Sequence, residues 1–485
     1  MKIRIKNTLY LFLVMLLAGS CDWLEVSPSN EVNEEDLFAK GSGYRNALNG
    51  IYLNMSDNSL YGRNLSYGFI EVLGHQYLPE HLKNTGSYYK TYQFLYDDTD
   101  VKSFISVMWS KGYNVIASCN NLIHNISEAD AMLFDGVEME KNMIWGEALA
   151  LRALMHFELL RMFAPSMEVD DGKAYIPYVD EYPVINTTYY TNAEILKKIE
   201  ADFKEARRLV AMCDVEQHPE WMQYDVRMRG DGVTTDLPDD VFYAFRGYRM
   251  NYYAITAWMA RMYMWAKDYD AAFSCSEEVI NSTYKDRAYF DFINSAELSK
   301  DKKDSKSLIF TISHNNVLTD EYKPFTNNGS ENLFLFSKDD IYDEELEKKE
   351  DVRGKDEMLT LVTGASYCSR KYLIEEGTIG YDMIPMLRLS ELYYIVGEYY
   401  ARNNQLDKAG AALDVVRHAR GLMLALPEPS SLDAFYKEMI KEMRKELIGE
   451  GQLYFLYKRL NMKEPFDMDE KNVNFVFEHP ENEDI

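Results

Sequence analysis

Few residues in this chain have the type and spacing to do chemistry. His156-Phe157-Glu158 is an H-x-E, the start of a zinc-deaminase signature, but no P-C-x-x-C follows. The triplet also sits inside a strongly apolar stripe, which favours a structural histidine. His75 and His81 lie near Glu80 without an HExxH, so they lack the i, i+4 geometry of a helical zinc site. The sequence holds no G-x-S-x-G, no Walker loop and no G-x-G-x-x-G, the patterns that mark acyl transfer, phosphate cradling and dinucleotide binding. Cys119, Cys213, Cys275 and Cys368 are far apart with no CxxC pair. They read as small buried hydrophobes rather than metal ligands or a disulfide framework. Asp97-Asp98-Thr99-Asp100 lacks the glycine and distal glutamate of a calcium loop and reads as an exposed acidic turn. A glycosidase needs two carboxylates across a cleft, and spacing cannot pick a pair from 79 acids. The expectation is a protein that is not an enzyme, with no cofactor and no metal.

Aromatic rings are the stronger signal. Tyr88, Tyr89 and Tyr92 follow the loop-like Asn84-Thr85-Gly86-Ser87, Trp221 and Tyr224 lie in a second irregular stretch, and Tyr322, Phe325, Asn327 and Asn328 in a third. A ring beside amides suits a sugar: the ring covers the apolar face and the amide bonds the hydroxyls. The competing reading is that these rings pack the loops against the helices. Tyr88, Tyr89, Tyr92, Trp221, Tyr322, Phe325 and Asn327 are therefore the candidate ligand contacts.

The elements that position these residues must be numerous, for the chain has 485 residues, 47% of them hydrophobic. Its net charge of −27 argues against nucleic acid and against a polybasic membrane patch, both of which need clustered Lys and Arg. The start is separate from the fold. Lys2, Arg4 and Lys6 precede an apolar run from Leu9 to Leu17, then Ala18-Gly19-Ser20 lead into Cys21. This reads as a signal peptide over residues 1–20, with Cys21 acylated as the first mature residue and anchored to a membrane without a spanning helix. No later stretch approaches about 18 uninterrupted apolar residues.

Beyond Cys21 the periodicity is helical. The spacing predicts helices over Tyr44 to Leu53, from Val101 onward, and over Glu138 to Phe163 with a stripe of Ala148, Leu151, Met155, Leu159 and Met162. Asn192 offers an N-cap for Ile195 to Met212. Further helices are expected over 248–267, 269–281, 386–403, 406–420 and 432–459. Irregular insertions fall at about 54–100, 213–247 and 284–385. The last contains a strand at Leu308 to Ile312, a second possible strand at Leu333 to Phe336, and a charge run from Lys338 to Glu357 that reads as a solvated surface. After Pro465 an extended acidic tail is expected. One repeat is visible: Tyr263, Tyr269-Asp270, Ala272 and Val279 match Tyr400, Leu406-Asp407, Ala409 and Val416 at a fixed offset. Each copy is helix, polar turn, helix with a small alanine near its start, the logic of a tetratricopeptide-like hairpin that needs stacked neighbours. The expected fold is mainly α: helical hairpins forming one scaffold over residues 21–485, with long loop and short-strand insertions.

Several segments together resemble the SusD/RagB family. They are the lipoprotein start continuing as Cys21-Asp22-Trp23-Leu24-Glu25-Val26-Ser27-Pro28; Trp145 to Ala153 with Leu160-Arg161 and Ile176-Pro177; and Met386 to Tyr393, Ala409 to Arg417, and Glu442 to Gln452. The order of the set carries the likeness. After Glu450-Gly451-Gln452 the family often has an Arg and then, three residues on, an Asp; this chain has Leu453 and Leu456 there, so ligand identity does not transfer. The resemblance implies a helical lipoprotein on the outer-membrane surface of Bacteroidetes-type bacteria. Such a protein captures oligosaccharides or polysaccharides, sometimes peptides, for a SusC-like TonB-dependent transporter and does no chemistry on them. It also singles out Glu147, Arg152, Arg388, Glu391 and Glu446, whose helical positions suggest ion pairs between hairpins rather than ligand contacts. A surface glycosidase and a purely structural lid are the rival readings.

Overall fold

A computed structural model of the chain describes residues 33–185, 187–229, 237–314, 318–342, 345–466 and 468–480. Cys21 and the expected signal lie outside the described residues. Helix α1 spans Gly41–Met55, α2 Thr99–Ser127, α3 Val137–Phe163 and α4 Asn192–Ala211. After an irregular stretch come α5 Tyr252–Ala266 and α6 Tyr269–Ile280, then α7 Leu389–Arg402, α8 Leu406–Ala419, α9 Leu432–Glu446 and α10 Gln452–Leu460. Successive helices pack on one another, α2 on α3, α3 on α4, α5 on α6, and α7 on α8.

The acidic turn at 97–100 is a helix start. Asp98 is the N-cap of α2 and accepts the Asp100 N–H, which satisfies one of the orphan donors of the first turn. The cap of α4 is Thr191, not Asn192: Thr191 and Glu194 form a reciprocal capping box. Asn192 instead donates to the Pro165 and Asp170 oxygens, fixing the end of the α3–α4 connection.

Helix α3 is buried on nearly every side rather than along a stripe. It lies between α2 and α4, so its polar face is inside too, and Glu140, Glu147, Arg152, Glu158 and Arg161 must find partners there. The approach to α4 is close at Gly146, where a Cβ would lie 2.8 Å from the Ala206 carbonyl oxygen. The repeat is seen as two hairpins. Ala272 and Ala409 are wholly buried, and the α5–α6 and α7–α8 hairpins meet through Phe273 and Tyr399, stacked at 4.2 Å.

Other boundaries differ from the sequence reading. Residues 386–388 are strand: Met383–Arg388 pairs antiparallel with Leu308–Ser313, and α7 begins only at Leu389. The helix expected over 432–459 is two helices. Gly449 and Gly451 break it with φ of 78° and 69°, a backbone glycine adopts without steric cost. Their N–H groups donate to the two oxygens of buried Glu71 at 2.5 and 3.0 Å. Leu333 to Leu335 are not strand; Phe336–Ser337 joins a small sheet with Leu359–Thr363 and Ser366–Ser369. The charge run is not simply solvated: Glu347, Asp351 and Arg353 are buried. The tail is extended but docked, with Phe466, Val473, Phe475 and Phe477 in the main core and the Phe477 N–H on the Met162 carbonyl. The four described cysteines are free and buried. Among the described residues no helix is long and apolar enough to cross a membrane.

Candidate functional site

The first and third insertions meet. Leu78 N–H donates to the Leu335 carbonyl at 2.7 Å, and Leu333 N–H to the His81 carbonyl at 2.9 Å. Lys83 adds a backbone bond to Asn332 Oδ1 at 3.1 Å and an ion pair to Glu331 at 2.7 Å. Beneath this seam lies a floor of rings. Tyr67 contacts Tyr322 at 5.0 Å and Tyr372 at 5.2 Å. Phe334 stacks on Phe325 at 4.2 Å and on Tyr77 at 4.7 Å, and meets Tyr88 edge-on at 5.0 Å. Burial pushes the phenols of Tyr67 and Tyr322 up, so they stay neutral.

Beside the floor is an open groove of about 1110 Å³. Its walls include Asp320, Lys323, Asn327, Ser330, Glu375 and Tyr381. The groove presents a half-buried ring, an amide and a hydroxyl, with acids in excess of the single Lys323, which pairs with Asp320 at 3.2 Å. A second groove of about 770 Å³ lies between α1 and residues 240–249. There the Phe242 ring is sandwiched between the guanidiniums of Arg45 and Arg249, at 4.3 and 4.1 Å.

The candidate residues divide. Tyr88, Tyr322 and Phe325 come together in the ring floor, and Asn327 lines the groove beside it. Tyr88 and Tyr322 are only 6% and 2% exposed and form the floor, so their faces are covered by protein rather than offered to a sugar. Phe325 is half-buried and Asn327 exposed. Tyr89 is half-buried against the main core. Tyr92 is buried and stacks on His75 at 3.6 Å. Trp221 is buried in a separate small core with Met139, Met143 and Tyr243, stacked on His218 at 3.7 Å. Tyr92 and Trp221 therefore hold loops in place, because a ring stacked on both protein and core has no free face. Tyr381 was missed; its one signal is an aromatic directly after Gly380 in a glycine-rich stretch.

The five signature residues all lie in buried pairs. Glu147 takes Arg246 on one oxygen and Arg249, at 2.9 Å, on the other. Arg152 holds Asp202 through two bonds of 2.7 Å, and Arg261 holds Glu391 at 2.6 and 2.7 Å. Arg388 holds Glu450 at 2.9 and 2.5 Å, and Glu446 receives Arg420 at 2.6 Å and Arg353 at 3.1 Å. His156 is a satisfied core histidine. Its Nδ1 bonds the Arg152 carbonyl and its Nε2 accepts the Val179 N–H, both at 2.9 Å, and burial drives it down to about 3.

Comparison with known proteins follows the same lines. Residues 22–221 match a family described as starch-binding associating with outer membrane, and residues 255–482 match the SusD family. A SusD-like protein P2 of Formosa agariphila is 26% identical over 176 residues, covering 35% of this chain. The match spans 30% of that relative's length. A putative sugar-binding protein of Bacteroides vulgatus superposes with a TM-score of 0.65 at 21% identity, covering 86% of each chain. A laminarin-binding SusD-like protein superposes with a TM-score of 0.61 at 16% identity, covering 91% of this chain and 96% of its own. Both structures share the fold, and the matched segments run in the same order as the ones quoted from the sequence. The chain belongs to the SusD/RagB family.

Proposed function

We propose that this protein is a glycan-capturing lipoprotein of the outer-membrane surface. In this reading residues 1–20 are removed, Cys21 carries the acyl chains, and residues 21–485 form one body. That body holds an oligosaccharide and passes it to a SusC-like TonB-dependent transporter. It does not cleave what it binds. The observation that carries the reading is the groove within the third insertion, with Tyr381 as a partly open ring beside Asn327 and Ser330. A ring, an amide and a hydroxyl on an open wall match the two faces of a pyranose. Asp320, Glu375 and Glu376 line the same groove and repel anionic chains, so neutral glycans are favoured over polyuronates. Laminarin is a sensible first ligand, because a protein of this fold is described as binding it.

The test is calorimetric titration of protein beginning after Cys21 with neutral glucans, polyuronates and peptides, each mixture assayed for new reducing ends. Binding of a neutral glycan without cleavage is expected. Tyr381→Ala and Asn327→Ala should each weaken it about tenfold, near 1.4 kcal/mol. Asn49→Ala, in the other groove, should not. New reducing ends would make the protein a glycosidase, and binding of peptides alone would move the reading to peptide capture.

A further inference from the structure

The groove between α1 and residues 240–249 is lined by two residues that break local rules without a packing reason. Phe245 sits in the left-handed region, with φ 55° and ψ 35°, a backbone that glycine adopts freely and a bulky side chain resists. Its half-buried ring belongs to no apolar core of the described residues. It meets Tyr248 edge-on at 6.2 Å and lines the groove. The next residue holds the turn in place: the Arg246 guanidinium is wholly buried between Asp214 and Glu147. Gly50 is the second exception. It lies inside α1, where alanine is the better helix former. Gly43 of the same helix is crowded by the Leu37 backbone, whereas a Cβ at Gly50 would meet nothing within 4 Å. Packing does not require glycine there, but glycine leaves the helix surface bare where it lines the groove.

Sequences break local rules chiefly where a function compensates, and strained residues cluster at binding sites. Here both exceptions line one opening of about 770 Å³, and the chemistry of its wall selects the ligand. Asn46 and Asn49 are exposed and one turn apart on α1, and each amide offers donors and an acceptor. Tyr248 is half-buried, and its hydroxyl donates to Asp382 at 3.3 Å. The charged side chains of the wall are matched within the protein, Arg45 with Asp240 at 2.6 Å and Arg249 with Glu147 at 2.9 Å. Rings and exposed amides without an unmatched charge suit an uncharged polyol that has one apolar face. The groove around Tyr381 shares no lining residue with this one, so the two are separate sites.

We propose that this groove is a second glycan site, in which Phe245 takes the apolar face of a neutral pyranose while Asn46 and Asn49 bond its hydroxyls. The inference rests on the glycan-capturing reading above and adds a site to it. Changes here alter how many sugars the chain holds and leave the affinity of the groove around Tyr381 as it is.

Calorimetric titration of the mature chain with short laminarin-derived oligosaccharides tests this. Two sugars bound per chain are expected. Phe245→Gly and Asn49→Ala should each weaken the second site by about tenfold, with the first unchanged, and Tyr381→Ala should do the reverse. Gly50→Leu places a side chain in the groove and should abolish the second site, yet its melting midpoint should equal or exceed that of the unaltered chain, because the helix gains a better former. A lowered midpoint with both sugars still bound would make Gly50 structural and overturn the proposal. One sugar per chain, lost on Tyr381→Ala and indifferent to Phe245→Gly and Gly50→Leu, would overturn this site and leave the first standing. No glycan bound, or peptides alone, would overturn both. The count for the unaltered chain needs no variant, so the outcome does not depend on how any variant folds.

Discussion

Arg388 shows what a single side chain does in this fold. It leaves the end of a strand, grips Glu450 through two bonds and lies 3.7 Å from Glu446, within a buried web that includes Arg420, Arg353, Glu442 and Lys371. Removing Arg388 leaves the buried Glu450 held by Lys371 without its two-bond guanidinium partner. Arg388→Ala should therefore cost about 3–5 kcal/mol, read as a lowered unfolding midpoint, with glycan binding below that midpoint unchanged. An unchanged midpoint with lost binding would make Arg388 a ligand contact instead. The sequence placed Glu391 and Glu446 on helices, and Arg388 on one too where the structure has the end of a strand, but it did not show whom they hold. Their partners Glu450, Arg261 and Arg420 lie elsewhere in the chain, and no local periodicity encodes a contact between distant segments. Burial of Tyr88, Tyr92 and Trp221 was hidden for the same reason: a ring in a loop looks alike whether water or another loop covers it.

Helix periods were legible wherever one face meets the core, as in α4 and in the hairpin repeat. They misled where the element is sandwiched. The apolar stripe of α3 is real, but its other face is buried against α4 and the insertions, so the pattern understated its depth. The break between α9 and α10 was overlooked because Gly449 and Gly451 interrupt a period that continues on both sides. Gly146 makes the sharpest element-level prediction. Alanine is the better helix former by about 1 kcal/mol, yet its Cβ would sit 2.7 Å from Val210 Cγ1 and 2.8 Å from the Ala206 oxygen. Gly146→Ala should thus destabilise by roughly 1–3 kcal/mol in urea unfolding. A gain in stability would mean that α3 and α4 can separate freely.

For the molecule as a whole, acid is the natural stress. Burial opposes the charge of Glu442, yet Arg353, Lys445 and Arg417 hold its carboxyl down at about 2 against an ordinary 4.5. Glu446, Glu398 and Glu450 are likewise held down, against burial, by their arginine and lysine neighbours. A depressed acid contributes stability above its unfolded value and loses it as pH falls through the folded one. Glu442 alone should forfeit roughly 3 kcal/mol between pH 4.5 and 2. Above that window two groups oppose each other. His156, driven by burial to about 3, loses stability as pH falls below 6.5. Glu71, pushed by burial up to about 8, gains it as pH falls from 8 to 4.5. Thermal midpoints should change little from pH 6.5 to 4.5 and collapse below, whereas a uniform decline would show that the carboxylates are not held as described. The seam joining the first and third insertions has a kinetic counterpart. Lys83 and Asn332 are 249 residues apart, so the seam beside the groove closes one of the longest loops the chain must form, and contacts of that range form slowly. The groove's own lining lies within residues 319–381, but the ring floor beside it joins Tyr88 to Phe325 and Phe334 only once that seam forms. During refolding, helical signal should return first and glycan affinity last, making ligand capture itself a report that the chain has finished folding.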